Sequence, residues 1–377
     1  METRLADLAG LQRLIDVLGR RGYTVLGPTV RNGAIVNAPV RQVADLPVGW
    51  GDDQDAAHYR LRRREDDKVF GFASGAQSAK PVFFPTEEVL WRGRRTANGF
   101  DTEVPDRAHA GPYALLGVRS CDLRAVGIHD TILRDRAFTD EAYTTRREGA
   151  FVVAVTCGDP GGTCFCTSMG TGPRPREGHG APFDLALTEL LDEGGHRFLV
   201  EVGSDRGAEV VDEIGAAPAG AVDVAMADRV AERAAGRMGR TLDTADLKDL
   251  LSASADSPVW ADVAQRCLAC GNCTAVCPTC FCTTVADVSV LSGDHAERTR
   301  VWDSCFNADF SYIHGGVVRE STSSRYRQWM THKLGSWHDQ FGMSGCVGCG
   351  RCVTWCPAAI DITEEAAALR RAAGGEE

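Results

Sequence analysis

Apolar positions divide the chain before any motif is considered. Residues 1–23, METRLADLAGLQRLIDVLGRRGY, set Leu5, Leu8, Leu11, Ile15 and Leu18 at helical spacing among charges, which predicts an amphipathic helix. From 24 to 110 the apolar runs are short and broken by Gly and Pro. GAIVNAPV and KPVFFP read there as strand candidates among loops. The pattern then sharpens. YALLGVRS (113–120) and AFVVAVT (150–156) are apolar runs of strand length, and DLRAVGIHDTILRD (122–135) repeats Leu123, Val126, Ile132 and Leu133 at helical spacing between them. Strand, helix and strand over about 45 residues make a βαβ unit with parallel strands. RFLVEVG (197–203) is expected to join the same sheet. Residues 207–262, rich in Ala, Arg and Leu, predict helices, the last opening at Ser257-Pro258 and leading into Cys267. The segment 279–345 is polar and aromatic, and ITEEAAALRRAAGGEE predicts a short closing helix with a disordered tip.

Composition bounds the possibilities. A chain of 377 residues suggests two or three domains, and 44% hydrophobic content is ample for a packed core. The net charge of −11 argues against a nucleic-acid role. Charges run through the first 23 residues, so no secretory signal is read there, and Arg20-Arg21 falls too late for a twin-arginine signal. No stretch approaches 18 uninterrupted apolar residues, so a cytoplasmic home, away from the membrane, is expected. Fifteen cysteines are far too many for an ordinary reduced protein without metal.

Eight of those cysteines fall in two runs. CLACGNCTAVCP (267–278) and CVGCGRCVTWCP (346–357) are both C-x2-C-x2-C-x3-C-P, the run that binds [4Fe–4S] clusters in bacterial ferredoxins. The fourth cysteine of such a run ligates the other cluster. One cluster is therefore assigned to Cys267, Cys270, Cys273 and Cys356, and the other to Cys346, Cys349, Cys352 and Cys277. Gly271 and Gly350 permit backbone bends near the sulfides, and Pro278 and Pro357 turn the chain away after the last ligand. Structural zinc typically uses two separated C-x2-C pairs and fits less well. Disulfides are a weaker alternative, since nothing points to an oxidising compartment. The runs are the one internal repeat, so a pseudo-twofold core is expected. The fold class is α+β. It comprises an N-terminal α/β domain with parallel strands (1–206), a helical linker (207–262), and a C-terminal ferredoxin-like domain (263–377) carrying a long insert (279–345).

Seven cysteines remain. Cys121 follows the first strand of the βαβ unit and Cys157 follows the second; GDPGGTCFC then returns Cys164 and Cys166. Ligands sit outside the carboxyl ends of parallel strands, so these four thiols converge and a third [4Fe–4S] cluster is an expectation. Buried structural thiols with a redox-sensitive C-x-C, or zinc, are alternatives the pattern leaves open. Cys280, Cys282 and Cys305 form a looser group that His314 or Asp303 could complete, and buried thiols packed beside the clusters are the reading favoured for them. MGTGP (169–173) lacks the full GxGxxG and reads as a turn. His129, Trp302, Trp329, Trp337 and Trp355 read as packing residues, and Arg319, Arg325 and Arg327 as a solvated face. No P-loop, serine triad or HExxH motif is present, and no catalytic residue is assigned.

Several blocks resemble one family when taken together. RSCDLRAV, the C-x6-C-x-C of CGDPGGTCFCTSMGTGP, CPTCFC, and WDSC…FSYIHGG…R…HK occur in the order found in the β subunit of soluble NAD(P)-linked [NiFe]-hydrogenases, the sulfhydrogenases, and in the related A subunit of anaerobic sulfite reductase. The resemblance spans about residues 110–360, and the family's usual AGG reads His314-Gly315-Gly316 here. It implies an iron–sulfur electron-transfer subunit of a hetero-oligomer. Electrons would pass between a flavin- and NAD(P)-binding subunit and the small subunit of a [NiFe]-hydrogenase, or the sirohaem subunit of a sulfite reductase. Flavin and nicotinamide would lie on other chains, in keeping with the lack of a dinucleotide fingerprint here.

Overall fold

The computed structural model describes residues 2–105, 111–176 and 178–374. In chain order its principal strands are β1 (Thr3–Asp7), β2 (Thr24–Arg31), β3 (Ala34–Pro39), β4 (Trp50–Asp55), β5 (His58–Arg63), β6 (Glu87–Thr96), β7 (Gly99–Glu103) and β8 (Tyr113–Arg119). They continue with β9 (Phe151–Val155), β10 (Leu185–Asp192), β11 (Gly195–Val202), β12 (Ala217–Pro218), β13 (Thr283–Ser289) and β14 (His295–Trp302).

The largest sheet has the order β12-β1-β11-β10-β9-β8-β2-β3. Its centre is parallel, β10 on β9, β9 on β8 and β8 on β2, and its flanks are antiparallel. All five residues of β9 are buried, as a central strand covered on both faces requires. Alternation then sorts its side chains. Val153 and Val155 join Leu11, Leu14, Phe198 and Val210 on one face. Val152 and Ala154 join Phe83, Phe84, Leu123, Val126 and Tyr143 on the other. The expected βαβ unit is β8, the helix Ser120–Leu133 and β9. RFLVEVG joins the sheet as β11.

Two expectations are corrected. The amino-terminal helix spans Leu8–Arg20 and excludes Leu5, which lies in β1 and pairs with Leu199. Asp7 sets the helix start, its carboxylate accepting a hydrogen bond from the Gly10 amide at 2.7 Å. KPVFFP is no strand. Lys80–Phe83 is a helical turn with proline in its first turn, where a missing N–H costs nothing.

The helix-rich stretch 207–262 packs in two directions. Val210, Val211 and Ala227 press on the large sheet, whereas Leu247, Leu251, Trp260 and Val263 enter a separate core with Phe306, Trp329, Met330, Val353 and Leu369. The segment between the cysteine runs folds back on the amino-terminal part. Its hairpin β13–β14 pairs with β6 to form a four-stranded antiparallel sheet, β13-β14-β6-β7. Arg300 on β14 pairs with Glu88 and Asp140, and Arg146 shares Glu88. The tail forms the helix Ile362–Gly374; its extreme tip, 375–377, lies outside the described residues. No helix among the described residues is long and apolar enough to cross a membrane.

Candidate metal centre

The two cysteine runs share one backbone. Ala269 and Gly271 have φ of +51° and +74°, and Gly348 and Gly350, at the matching positions, +64° and +75°. A four-residue helical turn follows each, Asn272–Ala275 and Arg351–Thr354. The first sulfur of each run accepts an amide hydrogen bond from two residues on, Ala269 N to Cys267 Sγ and Gly348 N to Cys346 Sγ, both 3.4 Å. Cys356 Sγ accepts another from Ile360 N at 3.4 Å. A Cβ at Gly350 would stand 2.5 Å from the Thr163 carbonyl oxygen and one at Gly348 2.6 Å from that of Phe165, so the second run has glycine for space as well as for φ.

The fourth thiol of each run stands near thiols of the other run. Cys277 is an electrostatic neighbour of Cys346, Cys349 and Cys352. Cys356 is a neighbour of Cys267 and Cys273. Cys267, Cys270, Cys273 and Cys356 line one cavity together with Cys352, walled by Phe306, Tyr326, Trp329, Ile360 and Ile362. Tyr326 Oη and Trp329 Nε1 are buried at that cavity without a hydrogen-bond partner. Orphaned donors, amide bonds to sulfur and four surrounding thiols fit an iron–sulfur cube, whose sulfides would supply the missing acceptors. Among the described residues, no three His, Cys, Asp or Glu side chains gather closely enough for a single ion. The thiols surround a volume, whereas a Zn–S bond of about 2.3 Å would draw them to a point.

Burial pushes these thiols up, Cys346 to about 12 and Cys273 and Cys352 well above the ordinary thiol value. Only a bound cationic core makes thiolates at such places. Cys277 moves the other way. A hydrogen bond with the Cys280 thiol holds it low against burial, and the Lys333 ammonium assists. Lys333 Nζ donates to Cys277 Sγ at 3.2 Å and Thr279 Oγ1 at 3.1 Å, and lies 3.6 Å from Cys280 Sγ. Burial opposes the Lys333 charge, but Cys277, Cys280 and Cys346 outweigh it and raise its pKa.

The amino-terminal thiols also gather. Cys121 lies in the first turn of Ser120–Leu133, and Cys157 directly follows β9. Cys164 and Cys166 sit on the next loop, which docks on the second run through Phe165 N to the Gly348 carbonyl (2.9 Å) and Thr163 Oγ1 with Thr354 Oγ1 (2.6 Å). Cys157, Cys164 and Cys166 are mutual neighbours. Cys121 borders Cys166, and all but Cys157 border Cys349 directly.

Cys280 lies beside Cys277 and Lys333, and Cys305 is a neighbour of Cys273 and Cys282. Asp303 lies beside Cys282, its amide donating to the Cys282 carbonyl at 2.8 Å, whereas His314 is exposed on a separate turn. His129 is a packing residue between Phe84 and Tyr143, and burial drives it down to about 3. Trp329 and Trp337 are buried, and Trp355 stacks on Tyr59 with centroids 5.1 Å apart. Arg325 donates to the Phe306 carbonyl at 3.0 Å, so it is tied to the core and does not form a free solvated face.

Sequence reasoning passed over the buried cations. Arg351, 2% exposed, forks onto Asp122 at 2.7 and 2.9 Å and donates to the Gly75 carbonyl at 2.7 Å, joining the second run to the βαβ helix. Lys333 and Lys80 are buried beside thiols. An Arg inside CGRC and a Lys in HKLG look like surface residues until the fold encloses them.

Residues 266–360 match a family model described as a 4Fe-4S dicluster domain. The sulfhydrogenase 2 subunit beta of Pyrococcus furiosus is 36% identical over 267 residues, which cover 69% of this chain and 74% of that relative. No solved structure gives a significant match.

Proposed function

The chain belongs to the sulfhydrogenase β-subunit family, and from that premise we propose that it relays electrons in a cytoplasmic complex. One partner is a flavin- and NAD(P)-binding subunit and the other the small subunit of a [NiFe]-hydrogenase. The observation that carries the reading is the reciprocal placement of Cys277 among the second run's thiols and Cys356 among the first's. That is the ligand exchange of a two-cluster ferredoxin. When bound, [4Fe–4S] clusters supply one-electron carriers whose potentials follow local charge, hydrogen bonding to sulfur and exposure.

The chain's own residues provide all three controls. Ala269, Gly348 and Ile360 amides donate to cysteine sulfurs. Phe306, Tyr326 and Trp329 give the first cavity an aromatic wall. Lys333 and Arg351 bring positive charge to the second. Cys270 and Leu268, both exposed at the rim of the first cavity, support docking of a partner there. We assign a third [4Fe–4S] cluster to Cys121, Cys157, Cys164 and Cys166, supported by the mutual proximity of Cys157, Cys164 and Cys166 and by Cys121 beside Cys166.

The test uses the assembled complex. Cys273→Ser is expected to abolish NAD(P)H-linked turnover while dye-linked hydrogenase activity of the partner persists. Unchanged NAD(P)H-linked turnover would overturn the relay. Cys164→Ser should remove about four irons per chain if the third cluster is present; unaltered iron and spectra would sink that assignment.

A further inference from the structure

The thiols of Cys280, Cys282 and Cys305 have no place in the assignments above, yet the fold places them near one another on two segments. Cys282 immediately precedes β13, and Asp303 immediately follows β14. Thr283 pairs with Trp302, and the Asp303 amide bonds to the Cys282 carbonyl as one further rung. The open end of this hairpin therefore carries Cys282 on one strand and Cys305 just beyond the other. Cys280 is fixed by Lys333 Nζ at 3.6 Å. Cys282 is an electrostatic neighbour of Cys305, and Cys305 is one of Cys273. Cys280 and Cys282 line a pocket of about 200 Å³ with Lys80, Trp302, Asp303 and Thr274.

Two buried lysines stand at this place. Lys80 is 4% exposed and Lys333 7%. The other described lysines that form ion pairs, Lys68 and Lys248, do so with aspartates. Among the described residues, neither Lys80 nor Lys333 has a carboxylate partner. Lys80 Nζ instead donates to the Cys280 carbonyl at 3.2 Å and sits 3.5 Å above the Trp302 ring. A buried ammonium group without a counter-ion costs several kcal/mol. One four-thiolate cluster at the second run would face Lys333, but Lys80 faces Cys280 and Cys282. Cubes carried by thiolates are net anions, and one here would neutralise it.

We propose that Cys280, Cys282 and Cys305 hold a further [4Fe–4S] cluster through three thiolates, with its fourth iron turned to the pocket. A further thiol lining the pocket, Cys270, is already assigned to the first run. The Asp303 carboxylate is already engaged, accepting from its neighbour Ser304 N at 2.7 Å and from Asn307 Nδ2 at 2.5 Å. The open corner takes a small exogenous donor such as water or a thiolate. The site abuts both runs, through Cys273 and Cys277, so its electrons are shared with them. The proposal stands whichever partner the relay serves.

The full chain, purified anaerobically, tests it in two ways. The triple variant Cys280→Ser/Cys282→Ser/Cys305→Ser is expected to lose about four irons and four sulfides per chain. The spectroscopic signals of the two runs, which report that the fold survives, should remain. Unchanged iron, or a loss of zinc in place of iron, overturns the proposal. The unmodified chain gives the second arm and does not depend on a variant folding. Under mild ferricyanide, [4Fe–4S]²⁺ gives up one electron to the oxidant and its unique iron leaves as Fe²⁺, forming [3Fe–4S]⁺. The [3Fe–4S] electron paramagnetic resonance signal should therefore appear, and Cys305→Ser should abolish it. Absence of that signal from the unmodified chain, or its persistence in Cys305→Ser, overturns the open-corner site.

Discussion

The first and second cysteine runs have the same spacing and the same backbone, and their surroundings could hardly differ more. The first lies near the surface. Cys270 is exposed, Leu268 beside it is 68% exposed, and aromatic side chains rather than charges wall its cavity. The second is interior. Cys277, Cys346 and Cys349 are buried, the loop 163–166 packs over its glycines, and Lys333 and Arg351 stand among its thiols. A repeat fixes how a cube is gripped; the chain around it decides how that cube is tuned and who can reach it. On this account the first run is the port and the second an interior hub with the higher potential, since buried cations favour the electron-rich state.

The largest expected effect comes from the contact that holds the second run in the interior. Asp122→Ala leaves the Arg351 guanidinium buried without its anion, a loss of about 3–5 kcal/mol measurable by denaturant unfolding. The first run's equivalent of Arg351 is Asn272, an amide donating to the Trp355 carbonyl at 3.3 Å. Asn272→Ala should cost far less, and equal losses would break the comparison.

Lys333→Met comes next. A unit charge about 5 Å from a cluster at an effective dielectric of about 20 contributes about 3 kcal/mol, on the order of 100 mV for one electron. The variant should lower the second cluster's midpoint by that much and leave the first nearly unmoved. A shift confined to the first cluster would reverse the assignment.

The smallest effect separates the two glycines. Both Gly271 and Gly350 have positive φ, so alanine costs about 1 kcal/mol at either. At Gly271 the added Cβ would first meet the Ser304 hydroxyl at 3.3 Å, which can give way, whereas at Gly350 it meets backbone at 2.5 Å. Gly350→Ala should therefore destabilise by about 1–3 kcal/mol more than Gly271→Ala.

Much of this was legible in the chain. The runs announced their chemistry because a cube demands closely spaced thiols, and the central strands announced themselves because a strand buried on both faces has to be apolar throughout. Leu5 misled because β1 is a five-residue strand whose apolar positions fall in step with the following helix. Phe83 and Phe84 misled because adjacent aromatics suit a strand, yet Pro81 starts a helical turn and both rings are buried under the helix Ser120–Leu133. The reach of β13–β14 back to β6, some 200 residues earlier, leaves no local trace, because pairing partners are set by the assembled sheet. The buried cations were hidden for the same reason: burial of Lys80, Lys333 and Arg351 is a property of the fold and not of their neighbours in sequence.

The most direct test of the port-and-hub account is a potentiometric titration of the full chain followed by electron paramagnetic resonance, with Cys273→Ser and Cys352→Ser alongside. The account predicts distinct iron–sulfur midpoints for the two runs, the lower lost in Cys273→Ser and the higher in Cys352→Ser. Coincident midpoints, the opposite order of loss, or no iron–sulfur signal at all would contradict it.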